Sequence, residues 1–318
     1  MTPRILIAEP TDFSPAAVAR LREVAEVNAD GCREDEVQQA LRDYDVFWFR
    51  LGRPINDKVL DENSRVKILA TPVTGIDHID EALCARLGVK IICLRGEREF
   101  LKSIRATAEL TIALLFMVMR NLPAAAGHVK DGGWDRDKFR GHELYEKTAG
   151  IIGCGRLGNI VAGYLTAMGM RVITYDPRAD IELPAGVERV AGLSELLDRS
   201  EIVSLHVNYT PENHHLIGPA EFKQLRPNAW FINTSRGGLV DETALLAALQ
   251  SGRLAGAGLD VIQQEHQLNA DNPLIHYARK HRELVILPHI GGNTYESFER
   301  TELFIAEKVI AELNRRSR

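Results

Sequence analysis

The pattern that most constrains this chain is Gly153-Cys154-Gly155-Arg156-Leu157-Gly158, read with its flanks. An apolar run, 149–152, leads into it and a helix-forming stretch follows. Glycines spaced GxGxxG between a strand and a helix have separate uses. The first permits a tight turn, the second lets a ligand approach the backbone, and the third lets the helix pack closely on the strand. The helix N-terminus then offers N–H groups and the positive end of its dipole, which suits a pyrophosphate. A second strand ends at Asp176, close to the spacing of ~20 residues expected of an acid that accepts hydrogen bonds from an adenosine ribose. The Asp176 charge repels a 2′-phosphate, so the pattern favours NAD over NADP, although Arg178 is a nearby cation that could tolerate one. Alone, the glycines read equally well as a turn without ligand, and Asp176 as a turn residue before Pro177.

The rest of the chain sets this motif in an alternating α/β pattern. Strands are expected at 4–8, 46–49, 66–70 and 89–93, with helical spacing at 15–24, 34–42 and 80–87 between them. A long helix is expected over 101–120, ending before Pro123. The alternation restarts at 149–153, with further strands at 171–175, 202–207, 229–233, 256–260 and 284–287, and a last helix over 294–314. Two such runs, the second opening at a glycine turn, imply two doubly wound parallel-sheet domains.

Composition narrows the class further. The chain has 318 residues, enough for two domains. Lys plus Arg number 39 and Asp plus Glu 44, a net charge of −5 that gives no support for nucleic-acid or membrane-surface binding. No apolar run reaches the ~18 residues of a membrane span, and the N-terminus reads as a strand, not a signal peptide. Cys32, Cys84, Cys93 and Cys154 form no CxxC pair and no zinc-site spacing, so no metal is expected. Reduced thiols and a cytoplasmic location are the simplest reading.

Three later segments turn nucleotide binding into a chemistry. They are Asn233-Thr234-Ser235-Arg236-Gly237-Gly238, Asp260-Val261-Ile262-Gln263-Gln264-Glu265, and Pro288-His289-Ile290-Gly291. Each follows an expected strand, at the carboxyl edge where open α/β sheets bind ligands. Arg236 suits a substrate carboxylate and a keto oxygen, because its planar fork donates several hydrogen bonds. His289 can protonate that oxygen as hydride reaches the carbon. Glu265 beside it would favour imidazolium and fix the ring. Singly, the three read as a helix-capping arginine, a solvated loop charge and a satisfied turn histidine; together, below the glycine turn, they suit 2-keto acid reduction.

With these motifs in order along nearly the whole chain, the sequence resembles the D-isomer-specific 2-hydroxyacid dehydrogenases. That resemblance implies Arg236, Glu265 and His289 as the catalytic set. It implies cofactor contacts at Gly153, Gly155, Arg156, Leu157, Gly158, Asp176, Val207, Thr234 and Asp260. It likens Pro72-Val73-Thr74-Gly75 to the turn whose amides bind the substrate carboxylate, through Val73, Thr74 and Gly75 together with Arg236. It implies a Rossmann domain, 101–290, inserted in a substrate domain of 1–100 plus 291–318, with the active site in the cleft between them. It also implies a homodimer built around the first helix of the cofactor domain. Leu110, Ile112, Leu114, Leu115, Phe116 and Met119 give that helix apolar residues on several sides, and Trp134 resembles a residue of the same arm.

Some positions depart from the family pattern. Asn208 and Tyr209 replace the usual Pro after Val207, which alters the adenine wall. His266 replaces the Pro after Glu265, leaving that loop less constrained. The stretch 95–103 is more charged than usual and has no assigned ligand. No regulatory domain is expected past the final helix, unlike many phosphoglycerate dehydrogenases. Two other readings stay open: an NAD-dependent protein-binding module of the corepressor type, and a phosphonate dehydrogenase-like enzyme. A formate dehydrogenase would carry Gln where Glu265 stands.

Overall fold

The computed structural model describes residues 2–317, apart from the side chain of His266. The chain forms two compact units. One comprises residues up to Ile104 together with those from Asn293; the other is Arg105–Gly292.

The first unit is built on β1 (Arg4–Ile7), β2 (Glu26–Asn28), β3 (Val46–Trp48), β4 (Ile68–Ala70) and β5 (Lys90–Ile92). They form one parallel sheet in the order β2-β1-β3-β4-β5. The central strands are buried on both faces, as continuous apolar runs in a parallel sheet must be. Crossovers run through α1 (Pro15–Arg22), α2 (Val37–Asp43) and α3 (Glu81–Arg86). The last helix, here α12 (Tyr295–Arg316), returns to this unit and packs on α1, β4 and β5. It is held by two buried carboxylates. Glu302 meets Arg50 at 2.7 Å, and Glu312 meets Lys90 at 2.7 Å.

The expected helix over 101–120 is interrupted. A short α4 (Arg98–Leu101) stops at a turn, and α5 runs only Ala106–Met119. The apolar periodicity hides the break because tertiary contacts make it. Phe100 stacks on Phe304 at 3.9 Å, Lys308 pairs with Glu97, and the Ser103 carbonyl accepts from Arg300 at 3.2 Å. Of the charges in 95–103, Glu97 thus meets α12, Arg95 pairs with Glu81 and Lys102 with Glu99. The helix does end before Pro123, at Met119, and a new one follows. Asn121, at φ 54°, turns the chain, and Pro123 sits in the first turn of α6 (Leu122–Lys130), where its missing N–H is harmless.

The second unit holds β6 (Thr148–Ile152), β7 (Arg171–Tyr175), β8 (Val187–Arg189), β9 (Ile202–Leu205), β10 (Ala229–Asn233), β11 (Leu254–Leu259) and β12 (Leu284–Ile286). The order β12-β11-β10-β9-β6-β7-β8, all parallel, reverses direction between β6 and β9. Ligands of open α/β sheets bind outside the carboxyl ends of the strands at such a switch point. The crossover helices are α7 (Arg156–Ala167), α8 (Leu193–Arg199), α9 (Pro219–Gln224), α10 (Glu242–Gln250) and α11 (Pro273–Ala278). α5 covers β10, β11 and β12. Its residues Ile112, Leu114, Leu115, Val118 and Met119 are buried, while Leu110 and Phe116 are half-buried.

Candidate active site

The glycine turn joins β6 to α7 at the switch point. Gly153 has φ +86°, and a Cβ there would lie 2.6 Å from the His206 carbonyl oxygen; a Cβ at Gly158 would lie 2.1 Å from the Gly153 oxygen. The fold itself demands both. Gly155 is different: the nearest atom to a Cβ there is Arg178 Nη2, at 3.6 Å. That opening fits a group from outside the chain. α7 starts at Gly155 with no side-chain cap, so its first amides are not satisfied by a capping residue. Arg156 is the first residue of α7, and burial lowers its guanidinium from the ordinary value. These residues fit a dinucleotide.

Asp176 ends β7 and is buried. Its Oδ2 accepts the Cys154 amide at 3.0 Å and its Oδ1 the Arg178 amide at 3.0 Å. Arg178 also closes on the carboxylate with Nη2, at 3.0 Å. Burial pushes this carboxyl up, but Arg178 and the amides outweigh it and hold it below its usual range. The acid is therefore ionised and hydrogen-bonded to the glycine turn.

The other segments meet the same sheet edge. After β10, the Asn233 side chain accepts the Ser235 amide and donates to the Arg236 carbonyl, each at 2.9 Å, while Ser235 Oγ donates to Leu205 O. This Asx turn presents Arg236. Thr234 is buried against Thr111, with the hydroxyls 2.9 Å apart. After β12, His289 adopts φ +55°, a left-handed conformation uncommon outside glycine. Asp260, buried at the end of β11, accepts the amides of Ile290 and Gly291. Burial is the main reason its carboxyl is raised, and the two amides oppose the shift.

His289 Nδ1 lies 2.6 Å from Glu265 Oε1. Since a carboxylate only accepts, Nδ1 carries the proton and Nε2 is the ring nitrogen not engaged by Glu265. Both side chains are partly exposed. Two residues 24 apart in sequence are thereby brought into direct contact. Arg236 comes off the neighbouring strand of the same edge, β10 beside β11. Val207 follows β9 and lies beside Gly153. Val73, Thr74 and Gly75 form the turn after β4 in the first unit, with Thr74 exposed and the other two half-buried.

Sequence reasoning missed Asn233 and Ser235, which shape the arginine turn, and the positioning part of Asp260. An Asn before Thr-Ser is a signal for an Asx turn; nothing local marks Asp260 as the partner of residues 290 and 291.

Residues 112–291 match the family model described as the D-isomer specific 2-hydroxyacid dehydrogenase, NAD binding domain. The chain belongs to this family. It is 35% identical over 309 residues to D-3-phosphoglycerate dehydrogenase of Methanocaldococcus jannaschii, covering 96% of this chain and 56% of the relative. It is 31% identical to hydroxypyruvate reductase of Thermotoga maritima, covering 98% of both chains. Among solved structures it resembles D-lactate dehydrogenase of Aquifex aeolicus complexed with NAD and lactic acid, at TM-score 0.83 and 27% identity, covering 98% of this chain and 95% of that one. The chain spans about half the length of the phosphoglycerate dehydrogenases it matches, such as the archaeal one at 56%.

Proposed function

We propose that this chain transfers hydride between NAD(H) and C2 of a small D-2-hydroxy acid or its 2-keto acid. The carrying observation is the 2.6 Å contact of Glu265 with His289, on the sheet edge that also holds Arg236 and the glycine turn. The bound nicotinamide supplies the hydride in reduction and accepts it in oxidation. Arg236 holds the substrate carboxylate and polarises the keto oxygen. His289 donates its Nε2 proton to that oxygen, so that keto acid, hydride and proton together give the hydroxy acid. Glu265, fixed on Nδ1, stabilises the imidazolium that must precede the transfer. In the glycine turn, Gly153, Gly155, Arg156, Leu157 and Gly158 serve the phosphates, and Asp176 the adenosine ribose. Val207, Thr234 and Asp260 complete the cofactor contacts. Val73, Thr74 and Gly75 contribute amides to the carboxylate.

The relatives' names define the first substrates to try: hydroxypyruvate, glyoxylate, pyruvate and phosphohydroxypyruvate, each with NADH and NADPH. Turnover of at least one with NADH supports the reading. Tight NADH binding without turnover of any 2-keto or 2-hydroxy acid supports the corepressor-type module instead.

A homodimer is part of this proposal. Its support lies beyond α5, on α6 and the segment after it, where Leu122, Val129 and Trp134 are 47%, 50% and 90% exposed. Such a run of large apolar side chains on one segment suits an interface. The four cysteines are all unpaired, which supports a reducing, cytoplasmic setting. No nucleic-acid or membrane partner is proposed.

A further inference from the structure

Glu265 must stay on His289 for the proposed chemistry, yet it follows Gln264, a residue at φ +50°, and no proline comes directly after it to stiffen the loop. Something else has to hold the loop. The residue placed to do so is Gln263. Its backbone N–H donates to Glu242 Oε1 at the start of α10. Its side-chain amide reaches Val240 O at 2.6 Å and His215 Nε2 at 2.9 Å. Val240 accepts only, so the amide nitrogen must face it. The same nitrogen's second hydrogen then points to His215, whose Nε2 acts as the acceptor. Both hydrogens of the amide are used. Beneath them, a Cβ on Gly237 would lie 2.0 Å from the Ile262 carbonyl carbon and 2.3 Å from Gln263 N. The turn that presents Arg236 and the turn that presents Glu265 therefore touch backbone to backbone, and Gln263 pins the junction.

We propose that Gln263 is a positioning residue for the Glu265–His289 pair, acting through Val240 and His215. It touches none of the reacting groups. Its effect is to fix where the Glu265 carboxylate sits, and through it the orientation of the His289 ring. This rests on the dehydrogenase reading above.

The test compares the full-length parent with Gln263→Met, which keeps length but loses both donors, and Gln263→Glu, which keeps size and polarity but presents oxygens to Val240 O. His215→Ala, which removes one acceptor only, is the milder third variant in case the first two fold poorly. Steady-state reduction of the best 2-keto acid is measured from pH 6 to 9, together with hydrogen–deuterium exchange over 260–267. The expected result is a roughly tenfold or larger fall in kcat for both Gln263 variants, as for a small misplacement of a catalytic pair. KM for NADH should stay within about twofold, and exchange over 260–267 should quicken. A parent-like kcat in an active protein overturns the proposal. If the parent turns over no 2-keto acid, the functional reading fails instead. Exchange then decides the clamp: unchanged rates overturn it and faster rates support it.

Discussion

Asp260 holds the Gly291 amide at 2.7 Å with one carboxylate oxygen and takes the Ile290 amide at 2.8 Å with the other. The Asp260 carbonyl in turn accepts the His289 amide at 2.8 Å. Every backbone donor of the strained His289 turn is thus met by one residue at the end of β11. Asp260→Ala should leave two amides without acceptors, at about 1–3 kcal/mol each where they stay buried. The melting temperature should fall by several degrees, and kcat should fall more than KM changes. Asp260→Asn keeps one acceptor and should lie between. Parental melting and kcat in Asp260→Ala would show that the carboxylate is not what holds the turn.

The Arg178–Asp176 ion pair bears on cofactor choice. The Asp176 side chain is 3% exposed and the Arg178 side chain 57%. The cation can therefore swing away while the acid stays. NADH should be used better than NADPH, by about tenfold or more in kcat/KM. Arg178→Ala should widen that preference, because it removes the cation that could receive a 2′-phosphate. Asp176→Ser, with Arg178 kept, should narrow or reverse it. Equal use of the two cofactors by the parent would overturn the ribose assignment.

A pH-dependent stability follows from Glu312. Arg315, Lys90 and Arg316 close on its carboxylate, each at 2.7 Å, and hold it far below its usual range despite burial. A lowered folded-state value means stability that is present above the ordinary value of 4.5 and lost as pH falls below it. Two of the partners are about half exposed or more, so solvent screening leaves about 1 kcal/mol or less. Glu312→Gln should lower the melting temperature by about 2–4 °C at pH 7, and the gap should close as pH drops below 4.5. A gap that persists unchanged at pH 3 would show that packing, not charge, is at work.

The sequence carried the two parallel sheets because buried parallel strands are long apolar runs, and those runs stand out between helices. It did not reveal β2 or β8. Each is three residues long and lies at a sheet edge, where Glu26 and Glu188 are exposed and no apolar period forms. The break before α5 was hidden for another reason: Phe100, Glu97 and Ser103 are pinned by residues of α12, far away in sequence. At the site, Arg236, Glu265 and His289 were legible as residue types after strands. The Glu265–His289 contact was only an expectation until folding brought β11 and β12 side by side. Gln263 was invisible, since its two side-chain partners come from other segments.

Assembly can be tested directly. Light scattering at micromolar concentration should give twice the 35.4 kDa of one chain. Val129→Glu combined with Trp134→Ala should give monomers that keep the parental circular dichroism, because these side chains are exposed within one chain. A parent that stays monomeric would leave the apolar run on α6 without a second copy to cover it.

The proposed catalytic set makes the sharpest prediction, because its three members are assigned different jobs. Arg236→Ala should raise KM for the keto acid and lower kcat together, since carboxylate binding and carbonyl polarisation are lost at once. His289→Ala should lower kcat mainly, by roughly 10²–10⁴-fold, as for a lost general acid. Glu265→Gln keeps the shape beside Nδ1 but removes the charge 2.6 Å from it. Losing that charge should lower kcat, with KM for the keto acid little changed. None of the three should abolish NADH binding, because the phosphates are assigned to the turn from Gly153 to Gly158, anchored to Asp176 through Cys154. Undiminished turnover in His289→Ala would remove the proton donor from the mechanism. A parental kcat in Glu265→Gln would mean the carboxylate only orients the ring. Loss of NADH binding in all three would point to a collapsed edge, which Asp260→Ala should then reproduce.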